Sequence, residues 1–240
     1  MSNQLTNKDF WKKRWKNYTP KMTKNQQFFE KYIPENLSGE NRSFIEIGGF
    51  PGTFSIFFHK KYGFSPTLLD FYMDEKQVHE LEKANELQQG TIKCIEQNFF
   101  NFNSTEKYDF VFSAGFIEHF EDTSDVIKRH YDLVANGGDL FILLPNFLGL
   151  NGYVQKWFNR ENYDAHNLKS MDINRLRSIV NTLGMKDAKV SYVAKNMLWL
   201  DPIKHPFLSI LVRLCSYPLK LFPIPCKFLS SYIYISANKK

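Results

Sequence analysis

Cysteine is scarce in this chain. Cys94, Cys215 and Cys226 are the only three among 240 residues, widely spaced and without a Cys-x-x-Cys pair. Neither a disulfide framework nor a zinc site is indicated, and a reduced cytoplasmic setting is expected. The opening stretch MSNQLTNKDFWKK lacks an apolar core of signal-peptide length, so secretion is not expected. No run of about 18 uncharged apolar residues occurs, which argues against a membrane-spanning helix. Internal repeats and low-complexity tracts are missing as well. So are two phosphate-binding signatures. A G-x-G-x-x-G motif begun at Gly48 meets Phe50 and Thr53, and one begun at Gly49 meets Pro51. No glycine-rich loop ends in Gly-Lys-Ser/Thr, so phosphate cradling is poorly supported.

Apolar residues are plentiful: hydrophobic content is 43%, enough for a substantial core, and 23 phenylalanines must find buried surface. Net charge is +6, which favours anionic partners such as a membrane surface, a phosphorylated substrate or nucleic acid. The basic residues gather at the ends, from Lys12, Lys13, Arg14 and Lys16 to Lys204, Arg213, Lys220, Lys227, Lys239 and Lys240. The length suits a single α/β domain over 1–240, carrying an N-terminal helical cap over 1–40 and an apolar amphipathic insertion over 197–230.

Hydrophobic periodicity predicts a helix over 8–18, with Trp11, Trp15 and Tyr18 on one face. That helix either docks on the core or covers a cofactor. From residue 43, strands over 43–47, 67–71, 91–96, 108–113 and 140–144 alternate with helices over 53–62, 74–88 and 121–135. Asn136-Gly137-Gly138 reads as a turn and 146–169 as irregular. A helix over 171–183 and strands over 189–194 and 231–236 complete the pattern. Such alternation predicts a doubly wound, mostly parallel sheet, with ligands at the carboxyl ends of its strands.

The residues expected at those ends share a theme. Glu46 closes the first strand before the turn GGFPG and suits a ligand with positive charge. Asp70 closes the second and can accept from two ribose hydroxyls. Phe71 offers a flat face to a base, and Asn98 with Phe99 supplies an amide and an aromatic edge. Together they describe a nucleoside bearing a cation.

This constellation resembles class I S-adenosylmethionine-dependent methyltransferases, over roughly 43–195 and the last strand. Of the family motif E/D-x-G-x-G-x-G, Glu46, Gly48 and Gly52 match, with Phe50 in place of the middle glycine and Gly49 beside it. YDFVFSAGFIEHFED resembles the fourth motif of the small-molecule and glycan branch, ending here in Glu118-His119. The resemblance implies a Rossmann-like seven-stranded sheet with an antiparallel last strand. It implies S-adenosyl-L-methionine as cofactor and S-adenosyl-L-homocysteine as product. It implies a cofactor site of Glu46, Gly48, Gly49, Gly52, Asp70, Phe71, Asn98, Phe99 and Ser113.

Methyl transfer from a sulfonium is a direct displacement with a neutral leaving thioether, so alignment dominates and a hydroxyl acceptor also needs a base. His119 and His166 are the candidate bases, each with a structural alternative, and Glu118 either orients His119 or is a solvated carboxylate at a helix start. Ubiquinone-type O-methyltransferases resemble this segment but carry a further Glu where Gly115 stands, so no metal is expected. The acceptor is expected to be a small molecule or glycan. A hydroxyl of a sugar or of a lipid-linked glycan competes with an aromatic or quinone-like acceptor and with a non-catalytic binding module. Nucleic acid is not expected, since no Asn/Asp-Pro-Pro-Tyr/Phe follows the fourth strand. Residues 207–222 read as a helix with a narrow polar stripe of Ser209, Arg213, Ser216 and Lys220, ended or kinked at Pro218. For 207–230 three roles stand open: a buried helix or substrate lid, a homodimer surface, or a membrane-interface segment that would make a cytoplasmic enzyme membrane-associated.

Overall fold

A computed structural model describes the chain except for residues 1–3, 35–36, 38–39, 41, 202–203 and 222–223. Parts of the 1–40 and 197–230 segments, Phe222 of the expected apolar helix among them, therefore lie outside the described residues.

Seven strands among the described residues form one sheet: β1 (Ser43–Ile47), β2 (Ser65–Asp70), β3 (Lys93–Glu96), β4 (Tyr108–Ala114), β5 (Val134–Pro145), β6 (Lys189–Tyr192) and β7 (Tyr232–Asn238). Their order is β3-β2-β1-β4-β5-β7-β6, and only β7 runs antiparallel to its neighbours β5 and β6. This is the Rossmann-like arrangement expected. The α-helices of the described residues are α1 (Lys8–Trp15), α2 (Thr53–Tyr62), α3 (Glu75–Ala84), α4 (Thr123–Leu133), α5 (Leu150–Phe158), α6 (Arg160–Asp164), α7 (Ile173–Thr182) and α8 (Pro206–Leu219). The order places the switch point between β1 and β4, where the chain reverses its direction of winding.

The two-residue period of the strands sorts the core. Phe44, Phe110, Phe112 and Phe141 face one side and pack with Phe29, Phe57, Phe58 and Phe64. Ile45, Ile47, Val111, Ile142 and Ile235 face the other, with Ile127, Leu176 and Val180 from the covering helices. Eight of the twelve phenylalanines buried among the described residues therefore form one layer of the core. Phe29 is fully buried in it, so the N-terminal segment is packed into the domain there.

Helix starts follow local chemistry. Asp74 accepts from Gln77 N, Asp122 from Ser124 N and Asp125 N, and Asp172 from Asn174 N and Arg175 N. Three segments depart from the sequence reading. The 136–138 turn is absorbed into β5, because Gly137 N donates to Lys239 O and Asn238 reaches the Gly138 carbonyl. The stretch read as irregular contains α5 and α6. Tyr18 falls beyond the end of α1, in a turn where its N–H donates to Trp15 O.

Candidate functional site

The site is built where β1 and β2 end. Glu46 is 1% exposed. Its Oε2 accepts from Ser55 N at 2.7 Å and Ser55 Oγ at 2.6 Å, while Oε1 has no hydrogen-bond partner among the described residues. Burial raises this carboxyl to about 8. Asp70 ties the two strand ends together: Oδ2 accepts from Phe50 N and Oδ1 from Tyr72 N, each at 3.0 Å. Burial raises it to about 6 against those bonds. Each Asp70 oxygen retains acceptor capacity for a further donor.

Between them the chain is wedged. Gly48 has φ +66°, and a Cβ there would collide with the Phe116 ring. A Cβ on Gly49 would collide with the Glu46 carboxyl. Side chains are excluded at both places by packing, and at Gly48 by backbone conformation too.

A cavity of about 340 Å³ opens over this turn. Glu46, Gly48, Gly49, Asp70 and Phe71 line one part of it, and Glu118, His119 and His166 another. A second cavity of about 20 Å³ adjoins it, sharing Asp70, Phe71 and Phe116 and adding Asn98 and Phe99. The Asn98 side chain accepts from Phe100 N at 2.9 Å, which fixes its oxygen locally. Two expected cofactor residues line neither cavity. Gly52 (φ +99°) starts α2, where a Cβ would sit 3.2 Å from Ile92 and Leu68, so its backbone freedom serves core packing. Ser113 is fully buried within β4, its Oγ unpartnered among the described residues.

His119 and His166, far apart in sequence, meet with ring centroids 4.6 Å apart. His119 Nδ1 lies 2.8 Å from Ala165 O, and His166 Nδ1 2.5 Å from Asn162 O. A carbonyl only accepts, so each Nδ1 carries the proton and each Nε2 holds the lone pair. Burial, with His166 adding to it, lowers His119 to about 3, and burial lowers His166 to about 4. Both rings are therefore neutral at physiological pH. Glu118 is 1% exposed, both its oxygens lack a hydrogen-bond partner among the described residues, and Oε1 lies 3.9 Å from His166 Nε2. Burial raises Glu118 to about 8. The ligand atoms of Glu118, His119 and His166 lie within 4.8 Å of one another, a set able to hold a metal ion. The expectation of no metal weighed only the first two, since the fold alone brings His166 beside them.

Sequence reasoning missed part of the wall. Phe28, Asn162, Trp199 and Tyr232 line the cavity, as does Arg14 from α1. Trp11 packs edge-on against His119 at 5.1 Å, so α1 covers this end of the cavity. Trp199 Nε1 is buried with no partner among the described residues. It lies in a stretch without periodicity, and no local signal marks it.

A family described as a methyltransferase domain matches residues 15–189. The chain matches no curated protein. Among solved structures it is similar to a SAM-dependent methyltransferase from Archaeoglobus fulgidus, at 17% identity and TM-score 0.57, covering 88% of this chain and 91% of that one. It is similar to Haemonchus contortus phosphoethanolamine N-methyltransferase 2 in complex with S-adenosyl-L-methionine, at 17% identity and TM-score 0.59, over 90% of this chain and 52% of that one. An O-methyltransferase family protein from Burkholderia thailandensis aligns at 15% identity and TM-score 0.55, over 83% of this chain and 51% of that one. At these identities the likeness is one of fold.

Proposed function

The chain belongs to the methyltransferase-domain family, and from that premise we propose that it methylates a hydroxyl of a sugar or lipid-linked glycan using S-adenosylmethionine. The residues present fit this cofactor. Asp70 has acceptor capacity for ribose hydroxyls, Glu46 keeps one buried oxygen without a partner for an ammonium, and Phe71, Asn98 and Phe99 border a space suited to a base. When bound, S-adenosylmethionine supplies an electrophilic methyl on a sulfonium that leaves as a neutral thioether.

The observation that carries the hydroxyl reading is the histidine pair. Two neutral imidazoles, each with Nδ1 tied to a backbone carbonyl, present Nε2 lone pairs at the cavity beside a buried carboxyl group. A hydroxyl held there loses its proton to Nε2 of His119 or His166. Glu118, 3.9 Å from His166 Nε2, stabilises the imidazolium so formed once the carboxyl is ionised, a step that burial shifts up to about pH 8. Without that partner, burial makes both rings weak bases.

The aromatic walls Phe10, Trp11, Phe28 and Trp199 favour a second reading, an aromatic or quinone-like acceptor, because flat rings stack there as well as sugar faces do. A non-catalytic module would keep the cofactor site without turnover. A membrane surface or a second copy of the chain would meet residues 207–230, which would place a cytoplasmic enzyme at a membrane. Calorimetric titration with S-adenosylmethionine and S-adenosylhomocysteine, on the native chain and Asp70→Ala, tests the cofactor. Micromolar binding that Asp70→Ala abolishes is expected, followed by turnover of a glycan acceptor. Binding without turnover of any glycan or nucleotide-sugar would remove the glycan reading.

A further inference from the structure

Apart from Leu5 and Met22, every large apolar side chain exposed among the described residues lies between 153 and 158 or between 207 and 228. These are not scattered. On α8, Phe207 (87% exposed), Ile210, Leu211, Leu214 and Tyr217 recur every three or four residues and share one outward face. The opposite face is turned to the protein and is partly polar. Val212 and Ser216 are buried there, and Ser216 Oγ bonds both Leu198 N (2.8 Å) and Leu198 O (3.0 Å). A helix that buries a serine and exposes a phenylalanine is inverted for water.

α5, which shares a buried cluster with α8, exposes Tyr153, Trp157 (76% exposed) and Phe158. The two helices are joined through that cluster: Leu150 and Val154 of α5 pack with Leu208, Val212 and Leu219 of α8 around Leu198 and Leu200. Charge complements the face. Between 205 and 228 the sequence carries Arg213, Lys220 and Lys227 with no Asp or Glu, and α5 adds Lys156, while Lys204 just before α8 is paired with Glu161. A twofold pairing of this surface with itself would bring like charges together. Anionic lipid headgroups would neutralise them while the aromatic and aliphatic side chains enter the interface. The 14 residues of α8 are too few to span a bilayer, and no helix of the described residues is long and apolar enough to cross one.

The same segment reaches the cavity. Trp199 lines it, between the two leucines that pack under α8. Its backbone is held by α5, with Gln155 Nε2 donating to Trp199 O at 2.7 Å and Trp199 N donating to Asn151 Oδ1 at 3.2 Å.

We propose that the joined outer faces of α5 and α8 lie in the interface of an anionic bilayer, and that the methyl acceptor is taken from that surface. Only the second clause rests on the methyl-transfer reading. The test is co-sedimentation of the full chain with vesicles of phosphatidylcholine alone and of phosphatidylcholine with phosphatidylglycerol at about 7:3. Binding to the anionic vesicles should exceed binding to the neutral ones by about tenfold or more and weaken with salt. The triple variant F207S/L211S/L214S, and separately W157S, should each lose much of it while titrating S-adenosylhomocysteine as the native chain does. Absence of binding to anionic vesicles, or binding indifferent to both variants, overturns the proposal. A dimer seen by light scattering that these variants dissociate, with no vesicle binding, overturns it in favour of a second copy. Vesicle binding by a chain that does not bind S-adenosylhomocysteine upholds the membrane face and removes the cofactor reading instead.

Discussion

Replacing Glu46 with glutamine separates the needs of the site from the needs of the fold. The carboxyl is 1% exposed and raised from 4.5 to about 8, chiefly by burial. A raised acid in the folded state binds its proton more tightly than in the unfolded chain, so native stability falls as pH climbs from 4.5 through 8. The full cost above pH 8 is on the order of 5 kcal/mol, at about 1.4 kcal/mol per pH unit of displacement. At pH 5.5 only about 1 kcal/mol of it has been incurred. The amide of the Glu46→Gln variant keeps an oxygen for Ser55 N and carries no charge, so this pH-dependent cost vanishes. Asp70 and Glu118, also raised by burial, titrate in both proteins and largely cancel in the comparison. Thermal unfolding followed by circular dichroism should show Glu46→Gln gaining on the native chain by about 10 °C or more between pH 5.5 and pH 9. The same variant should bind S-adenosylhomocysteine about tenfold or more weakly, having lost a charged partner for the amino group. Parallel melting curves across that pH range would refute the argument that Glu46 is a buried carboxyl whose ionisation costs stability. Unchanged affinity would remove it from the cofactor site.

Gly48→Ala should lower stability by about 2 kcal/mol or more in urea denaturation, since it combines φ +66° with a collision against the Phe116 ring. Phe29→Ala should cost about 3–5 kcal/mol by the same measurement, because this residue of the N-terminal segment is fully buried in the phenylalanine layer. For whichever of His119→Gln and His166→Gln removes the base, turnover of a hydroxyl acceptor should fall by about 10²–10⁴ with S-adenosylhomocysteine binding retained. Chelation with EDTA should leave that turnover unchanged. A loss restored by added Zn²⁺ would make Glu118, His119 and His166 ligands in place of a base and its partner.

Much of the fold and one half of the site were legible in the sequence, for a local reason. Strand and helix periods are set by neighbouring residues, so the alternation of strands and helices from 43 to 144 read correctly apart from the 136–138 turn, which belongs to β5, and a carboxylate after an apolar run marked each of the first two strand ends. Glu46, Asp70 and the glycine turn are that half. The antiparallel β7 came from the resemblance of the motifs, since periodicity does not encode strand direction. Tertiary structure decided the other half. His119 and His166 become ring neighbours because Ala165 O and Asn162 O hold their Nδ1 atoms, a relation that spacing along the chain cannot express. Gly52 matched a motif yet serves the packing of Leu68 and Ile92. The polar stripe read over 207–222 left open which face of the helix is covered; in the structure Leu198 satisfies Ser216 inside the protein and the face of Phe207, Ile210, Leu211, Leu214 and Tyr217 is exposed. A sequence records which faces a helix has; only the partners across the fold determine which one is covered.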